Sequence, residues 1–225
     1  HGWINFDKPA GISSAKALAV IRKKLNCSKI GHGGTLDPLA SGVLPIAIGE
    51  ATKTVSYVMD SAKKYEFTIS WGCETTTDDK EGSPTRTSNK IPTKEDIDRC
   101  IPEFIGTIKQ TPPNYSAVKI DGKRAYSIAR FSEKRGIENH VDLKSRDVNI
   151  HNLSLLSLRN NEACFSIFCG KGTYVRSLGR DLGRRLGSAG HISALKRISV
   201  GNFKLKDAIS LDFFKNLRDI ADAKK

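Results

Sequence analysis

Alternating strand-like and helix-like stretches predict a mixed α+β fold, and three observations carry that expectation. Residues 65–71 set Tyr65, Phe67, Ile69 and Trp71 against Glu66, Thr68 and Ser70, the two-residue period of a half-buried strand. Leu18, Ile21 and Leu25 after Ser13-Ser14, and Val175, Leu178, Leu182 and Leu186 after Thr173, recur at the three- and four-residue spacing of amphipathic helices. Glycine and proline clusters punctuate the chain between them. With 38% hydrophobic and 27% charged residues, the 225-residue chain has the make-up of a folded protein with one generous core or two modest ones.

Taken in order, Ser13-Ser14 caps a first helix that ends near Asn26. Gly31, Gly33 and Gly34 then allow a tight turn, Pro38 removes a donor and biases Asp37 away from helix, and Val43 to Ile48 reads as a buried strand. Asp37 is therefore a carboxylate displayed where a turn meets a strand, a common place for reactive groups. Taken alone, the same Asp-Pro pair also suits a turn in which the carboxylate bonds its own loop. By pattern Tyr65 is a core aromatic at the start of its strand. Thr75 to Pro84 is polar and turn-rich, Glu95 to Ile105 is weakly helical, and Pro112-Pro113 marks an extended break.

Residues 119–146 hold eight basic and four acidic side chains with few apolar ones, the pattern of a solvated insertion. Ala163 to Cys169 reads as a strand, and Gly170 to Thr173 as a turn into the last long helix. There Arg176, Arg180 and Arg184 repeat every fourth residue, away from the apolar stripe. One side of this helix is expected to pack and the other to bind, with Arg184 on a solvated face. After Phe203, Leu211, Phe213, Phe214 and Leu217 suit one short helix.

The formal charge is +13, and it is uneven: +2 over residues 1–112 and +11 over residues 113–225. Such asymmetry points to a polyanionic partner, nucleic acid first. The five cysteines are odd in number and contain no C-x-x-C, which indicates neither a disulfide framework nor a zinc site. No apolar run approaches the roughly 18–20 residues of a membrane span, and a cytoplasmic location is expected. Gly170-Lys171-Gly172-Thr173 does not make a phosphate-binding loop, because Gly172 stands where Ser or Thr must follow the lysine. A non-catalytic RNA-binding or RNA-chaperone module would use the charge equally well, but would gain nothing from a carboxylate facing phosphates.

Gly31-His32-Gly33-Gly34-Thr35-Leu36-Asp37-Pro38, continuing to Gly49-Glu50-Ala51-Thr52-Lys53, closely resembles the catalytic segment of the TruB family of tRNA pseudouridine synthases. Phe6-Asp7-Lys8-Pro9-Ala10-Gly11, Lys64-Tyr65-Glu66-Phe67, the block from Gln110 to Lys119 with Gly122 to Tyr126, and Lys171-Gly172-Thr173-Tyr174-Val175-Arg176 are similar to further family motifs in the same order. The resemblance implies a central, largely antiparallel sheet flanked by helices, with a cleft where catalytic Asp37, Tyr65 and Arg176 converge. It implies a basic, thumb-like RNA-gripping insertion at about 119–146, although the residues from Phe131 to Gly136 depart from the family pattern. His32 is implied near a flipped base and Leu195 beneath the ring. Tyr174, Lys171, Arg180, Lys119, Lys123 and Arg124 are implied as RNA contacts, and Asp79 and Lys8 as neighbours of the pocket.

The implied substrate is uridine 55 in the T loop of tRNA. No cofactor, metal, membrane, guide RNA or obligatory protein partner is expected, and the default state is a monomer. The implied organisation is a catalytic domain over residues 1–203 and a short segment over 204–225, without an RNA-binding PUA domain. Leu39 to Pro45 and Gly49 to Lys53 resemble the stand-alone bacterial type rather than the guide-RNA-dependent type.

Overall fold

A computed structural model describes residues 1–116, 118–120, 122–135 and 143–216. In chain order the first elements are β1 (Gly2–Lys8), α1 (Ser14–Lys24), β2 (Ile30–His32), β3 (Ser41–Ile48), α2 (Val55–Asp60), β4 (Lys63–Trp71), β5 (Cys73–Thr75) and β6 (Pro84–Thr87). Next come α3 (Lys94–Cys100), β7 (Gly106–Gln110), β8 (Lys119–Ile120), β9 (Lys123–Arg124) and α4 (Ala125–Lys134). The last are β10 (Arg146–Arg159), β11 (Glu162–Cys169), α5 (Val175–Arg185), β12 (Gly190–Val200), β13 (Phe203–Lys204), β14 (Ile209–Ser210) and α6 (Leu211–Asn216). Ten strands belong to one mostly antiparallel sheet, so the fold is α+β as expected. Contacts divide the chain into two compact units, one of residues 1–66, 167–171 and 194 onward, the other of residues 67–166 and 172–193.

In the first unit the strands run β14-β1-β3-β12, with β2 also on β3 and β13 on β12. β1 and β3 are antiparallel from Gly2↔Ile48 to Lys8↔Gly42, while β14 lies parallel to β1 and β12 parallel to β3. The interior of β3, from Gly42 to Ala47, is continuously buried, which is why its sequence reads as an apolar run rather than an alternation. Phe6 is fully buried and meets the edge of Phe214 on α6, the short helix expected after Phe203. Leu217 lies outside the described residues. The first helix forms as expected, but with a different inner face. Ser13 is the N-cap, accepting from Lys16 N at 3.1 Å, whereas Ser14 is buried with Ala17 and Ile21. Leu18 and Leu25 are only half-buried. The serine is inside because its hydroxyl both accepts from Leu36 N and donates to Leu36 O, each at 2.9 Å.

In the second unit β4, β11, β10 and β7 are consecutive neighbours, and β7 pairs antiparallel with β10 from Gly106↔Ile150 to Gln110↔Arg146. The β4 alternation is as expected, with Phe67, Ile69 and Trp71 buried and Phe67 stacked on Phe165 at 5.3 Å. The weakly helical stretch is α3, started by a Thr93–Asp96 capping box and followed by a 3₁₀ turn at Ile101–Phe104. On α5, Val175, Leu178 and Leu182 are buried. Gly179 and Gly183 let this helix approach β12, since a Cβ on either would strike Ile192 or the Gly190 backbone.

Candidate active site

Asp37 stands half-buried on the irregular loop between β2 and β3, as its Pro38 neighbour predicts. The loop is tied down on both sides of the carboxylate. Ser14 holds Leu36, Gly11 N donates to Pro38 O at 2.8 Å, and Ala40 N donates back to Asp37 O at 3.1 Å. The largest fastening comes from Arg197 on β12, only 1% exposed. Its Nε donates to Val43 O at 2.7 Å, its Nη2 to Gly34 O at 2.9 Å and its Nη1 to Thr35 O at 3.4 Å. A planar fork with five N–H groups suits three carbonyls on two segments in a way a lysine could not. Gly42, at φ +100°, is the counterpart of this close approach: a Cβ there would fall into the Arg197 main chain.

The sequence reading passed over Arg197. The available signal was strand parity, because Arg197 lies two residues beyond Leu195 on the same face of β12, and Leu195 is buried. A buried, basic residue at an inward position demands partners.

Tyr65 is buried on β4, and burial pushes its phenol above the ordinary tyrosine range. The charge of Arg197 and a hydrogen bond from its guanidinium oppose the rise, while Cys169 and Asp37 add to it. Tyr65 therefore stays a neutral phenol at pH 7. His32, at the end of β2, is held below its ordinary value by burial and then by Arg197, so its ring is neutral at pH 7. Its Nδ1 is buried without a hydrogen-bond partner among the described residues. Lys8 is fully buried and donates to Pro9 O at 2.8 Å and Ile12 O at 2.7 Å, shaping the turn before α1. Lys171 is exposed and pairs with Asp60 at 3.0 Å.

Arg176 belongs to the second unit, in the first turn of α5, and is buried. Its Nη1 donates to Thr77 O and its Nη2 to Tyr115 O, each at 3.0 Å, and its Nε lies 3.8 Å from Asp79 Oδ2. Tyr174, just before it, is fixed by the Gln110 carboxamide. Its N–H donates to Gln110 Oε1 at 2.8 Å, Gln110 Nε2 donates to its carbonyl at 3.1 Å, and the Arg146 guanidinium lies 4.9 Å from its ring.

The arginine row of α5 differs in part from expectation. Arg180 Nη1 meets Asp78 Oδ2 at 2.8 Å, with further bonds to Asp181 and Thr111 O, and its side chain is largely covered. Arg184 is exposed, as expected, and its Nε and Nη2 also grip Glu74 at 3.0 and 2.7 Å. Glu74 is buried and also takes Arg86 at 2.6 Å. The sequence separates these acids from the helix by about a hundred residues, so the helix pattern alone could not reveal them. Lys119, Lys123 and Arg124 lie on the two-stranded β8–β9 ribbon. Residues 121 and 136–142 of the expected insertion lie outside the described residues, as does Ala117 of the motif block.

A carboxylate on an arginine-anchored loop, a neutral phenol and a neutral imidazole are carried on this mixed sheet. Residues 22–175 match the model of the TruB family pseudouridylate synthase N-terminal domain, and residues 176–224 that of the tRNA pseudouridylate synthase B C-terminal domain. The chain belongs to the TruB family. Its relatives include proteins named tRNA pseudouridine synthase B. That of Ehrlichia chaffeensis is 52% identical over 96% of this chain and 72% of its own length, and that of Bradyrhizobium diazoefficiens 53% identical over 98% and 63%. Among solved structures, a Cbf5-Nop10-Gar1 complex matches 94% of this chain and 52% of that chain at 32% identity and a TM-score of 0.71. An H/ACA RNP bound to a substrate RNA containing 2′-deoxyuridine matches 94% and 51% at 29% identity and a TM-score of 0.68. This chain spans about half the length of those solved chains. No helix among the described residues is long and apolar enough to cross a membrane.

Proposed function

We propose that this chain isomerises uridine to pseudouridine at position 55 in the T loop of tRNA, acting without a cofactor, guide RNA or obligatory protein partner. The observation that carries the reading is the Arg197-anchored loop, which presents Asp37 in the same electrostatic environment as the Tyr65 phenol. That arrangement sits in a chain about half identical to proteins named tRNA pseudouridine synthase B.

In the reaction the N1–C1′ bond breaks, the uracil turns, a C5–C1′ bond forms, and the C5 proton leaves as N1 gains one. No atom or electron is lost. Asp37 supplies the carboxylate that attacks or stabilises charge as the glycosidic bond opens, and Arg176 is the arginine that the reaction uses. Tyr65 stacks on the uracil and takes part in proton transfer from C5. The uridine must first leave its stack at a cost of a few kcal/mol. The neutral His32 ring fills the vacated space and Leu195 floors the pocket, while Tyr174, Lys171, Lys119, Lys123 and Arg124 contact RNA.

Asp37→Asn is expected to lower pseudouridine formation on an unmodified T-arm hairpin by at least about a thousandfold, with hairpin affinity within about tenfold. Turnover near wild type would remove Asp37 from its role. Hairpin affinity is expected to fall steeply with salt, each phosphate neutralised adding close to one unit of slope. A flat response would remove the RNA-gripping role of residues 119–146.

A further inference from the structure

Three arginines one turn apart on α5 meet three acids from the segment that follows β4. Arg176 lies by Asp79, Arg180 by Asp78 and Arg184 by Glu74. The middle pair is the unusual one. Consecutive side chains in extended backbone point to opposite faces, so Asp78 and Asp79 would not both reach one helix. Asp78 adopts φ +58°, a left-handed conformation open to aspartate at modest cost, and this bend brings both carboxylates to α5.

The bent segment helps to hold Arg176, alongside Tyr115 O. Thr77 O accepts from Arg176, and the Asp79 carboxylate beside it is itself held by Thr77 Oγ1 and by Glu81 N at 3.0 Å. Backbone bonds between Asp78 O and Ile192 N and between Lys80 N and Ile192 O fasten the segment to β12. Asp78 is buried, and Arg180, its partner, is completed by Asp181 and the Thr111 carbonyl.

We propose that Asp78 and Arg180 are positioning residues, a pair one helical turn beyond Arg176 that locks the Thr77–Asp79 segment and so fixes the Arg176 guanidinium. This rests on the reading of Arg176 as part of the active site. Arg180 then acts through the protein rather than by touching RNA, which replaces its expected role as an RNA contact. Burial pushes the Asp78 carboxyl up to about 6 despite Arg180 and Arg176. The pair is thus an expensive one to keep if it served only to stabilise the fold.

The test measures kcat and KM on unmodified tRNA for Asp78→Asn, Arg180→Lys, Arg180→Met and the Asp78→Asn/Arg180→Met double variant, with circular dichroism and Tm for each. A displaced guanidinium is expected to cost about tenfold in kcat, with KM moving by no more than about twofold. The double variant should be no worse than the poorer single one, and Arg180→Lys should recover part of the loss. Unchanged kcat in folded Asp78→Asn or Arg180→Met protein would overturn the proposal, as would losses that multiply in the double variant or that appear in KM. Wild type and Arg176→Lys run in parallel. Inactive wild type, or fully active Arg176→Lys, would instead defeat the active-site reading on which the pair depends.

Discussion

The two aspartate-bearing loops are built on opposite electrostatic plans. Around Asp37, the fastening groups are neutral backbone carbonyls that accept from Arg197 and Ser14, and those bonds do not call on its carboxylate. Between Glu74 and Asp79, the acids themselves are the fasteners, each set against an arginine of α5. The Asp37 loop is fastened by main-chain carbonyls, whereas the Glu74–Asp79 segment is fastened by its acidic side chains.

The sharpest way to break this comparison is to remove the neutral fastening. Arg197→Met leaves the carbonyls of Val43, Gly34 and Thr35 without their donor in a buried site, and is expected to cost about 3 kcal/mol or more by urea unfolding. A loss under 1 kcal/mol would show that the loop stands without Arg197. Glu74→Gln is expected to cost less, about 1–2 kcal/mol, because its partners Arg86 and Arg184 are half-exposed and rehydrate. If the order of these two variants were reversed, charge rather than backbone anchoring would be the stronger device.

Acidification sharpens the same contrast with opposite signs. His32 is depressed in the folded state, so its contribution is intact above the unfolded value of 6.5 and is lost as pH falls below it. Asp78 is raised from 3.8 to about 6, so the folded state gains relative stability as pH falls from 6 toward 3.8, by at most about 3 kcal/mol. His32→Gln should flatten the first slope and Asp78→Asn the second in chemical denaturation between pH 7.5 and 4. An unchanged pH profile in either variant would show that the residue is not the source.

The local structure around much of the candidate site was legible because it is written in neighbouring letters. Asp37 follows glycines and precedes a proline, Tyr65 begins a clean alternation, and α5 shows its apolar stripe. Arg197 was missed because its partners lie over 150 residues earlier, and the acids opposite α5 because ion pairing between distant segments leaves no periodic trace. The strands β1, β7 and β10 also went unread. β10 has only three inward residues, Val148, Ile150 and Leu153, in fourteen, too few to stand out as alternation. Ser14 showed the reverse error, a polar residue placed at a helix cap that is instead an interior hinge-pin for the Asp37 loop.

Gln110 sets the angular zero of α5. The residue before that helix has no side-chain cap of its own, and the Gln110 carboxamide stands in for a missing strand neighbour by pairing with both main-chain groups of Tyr174. Each helical residue advances the direction of its side chain by about 100°. Slippage of this first junction by a single residue would therefore rotate every arginine off its acid at once, which makes one amide the timing mark for the whole ladder.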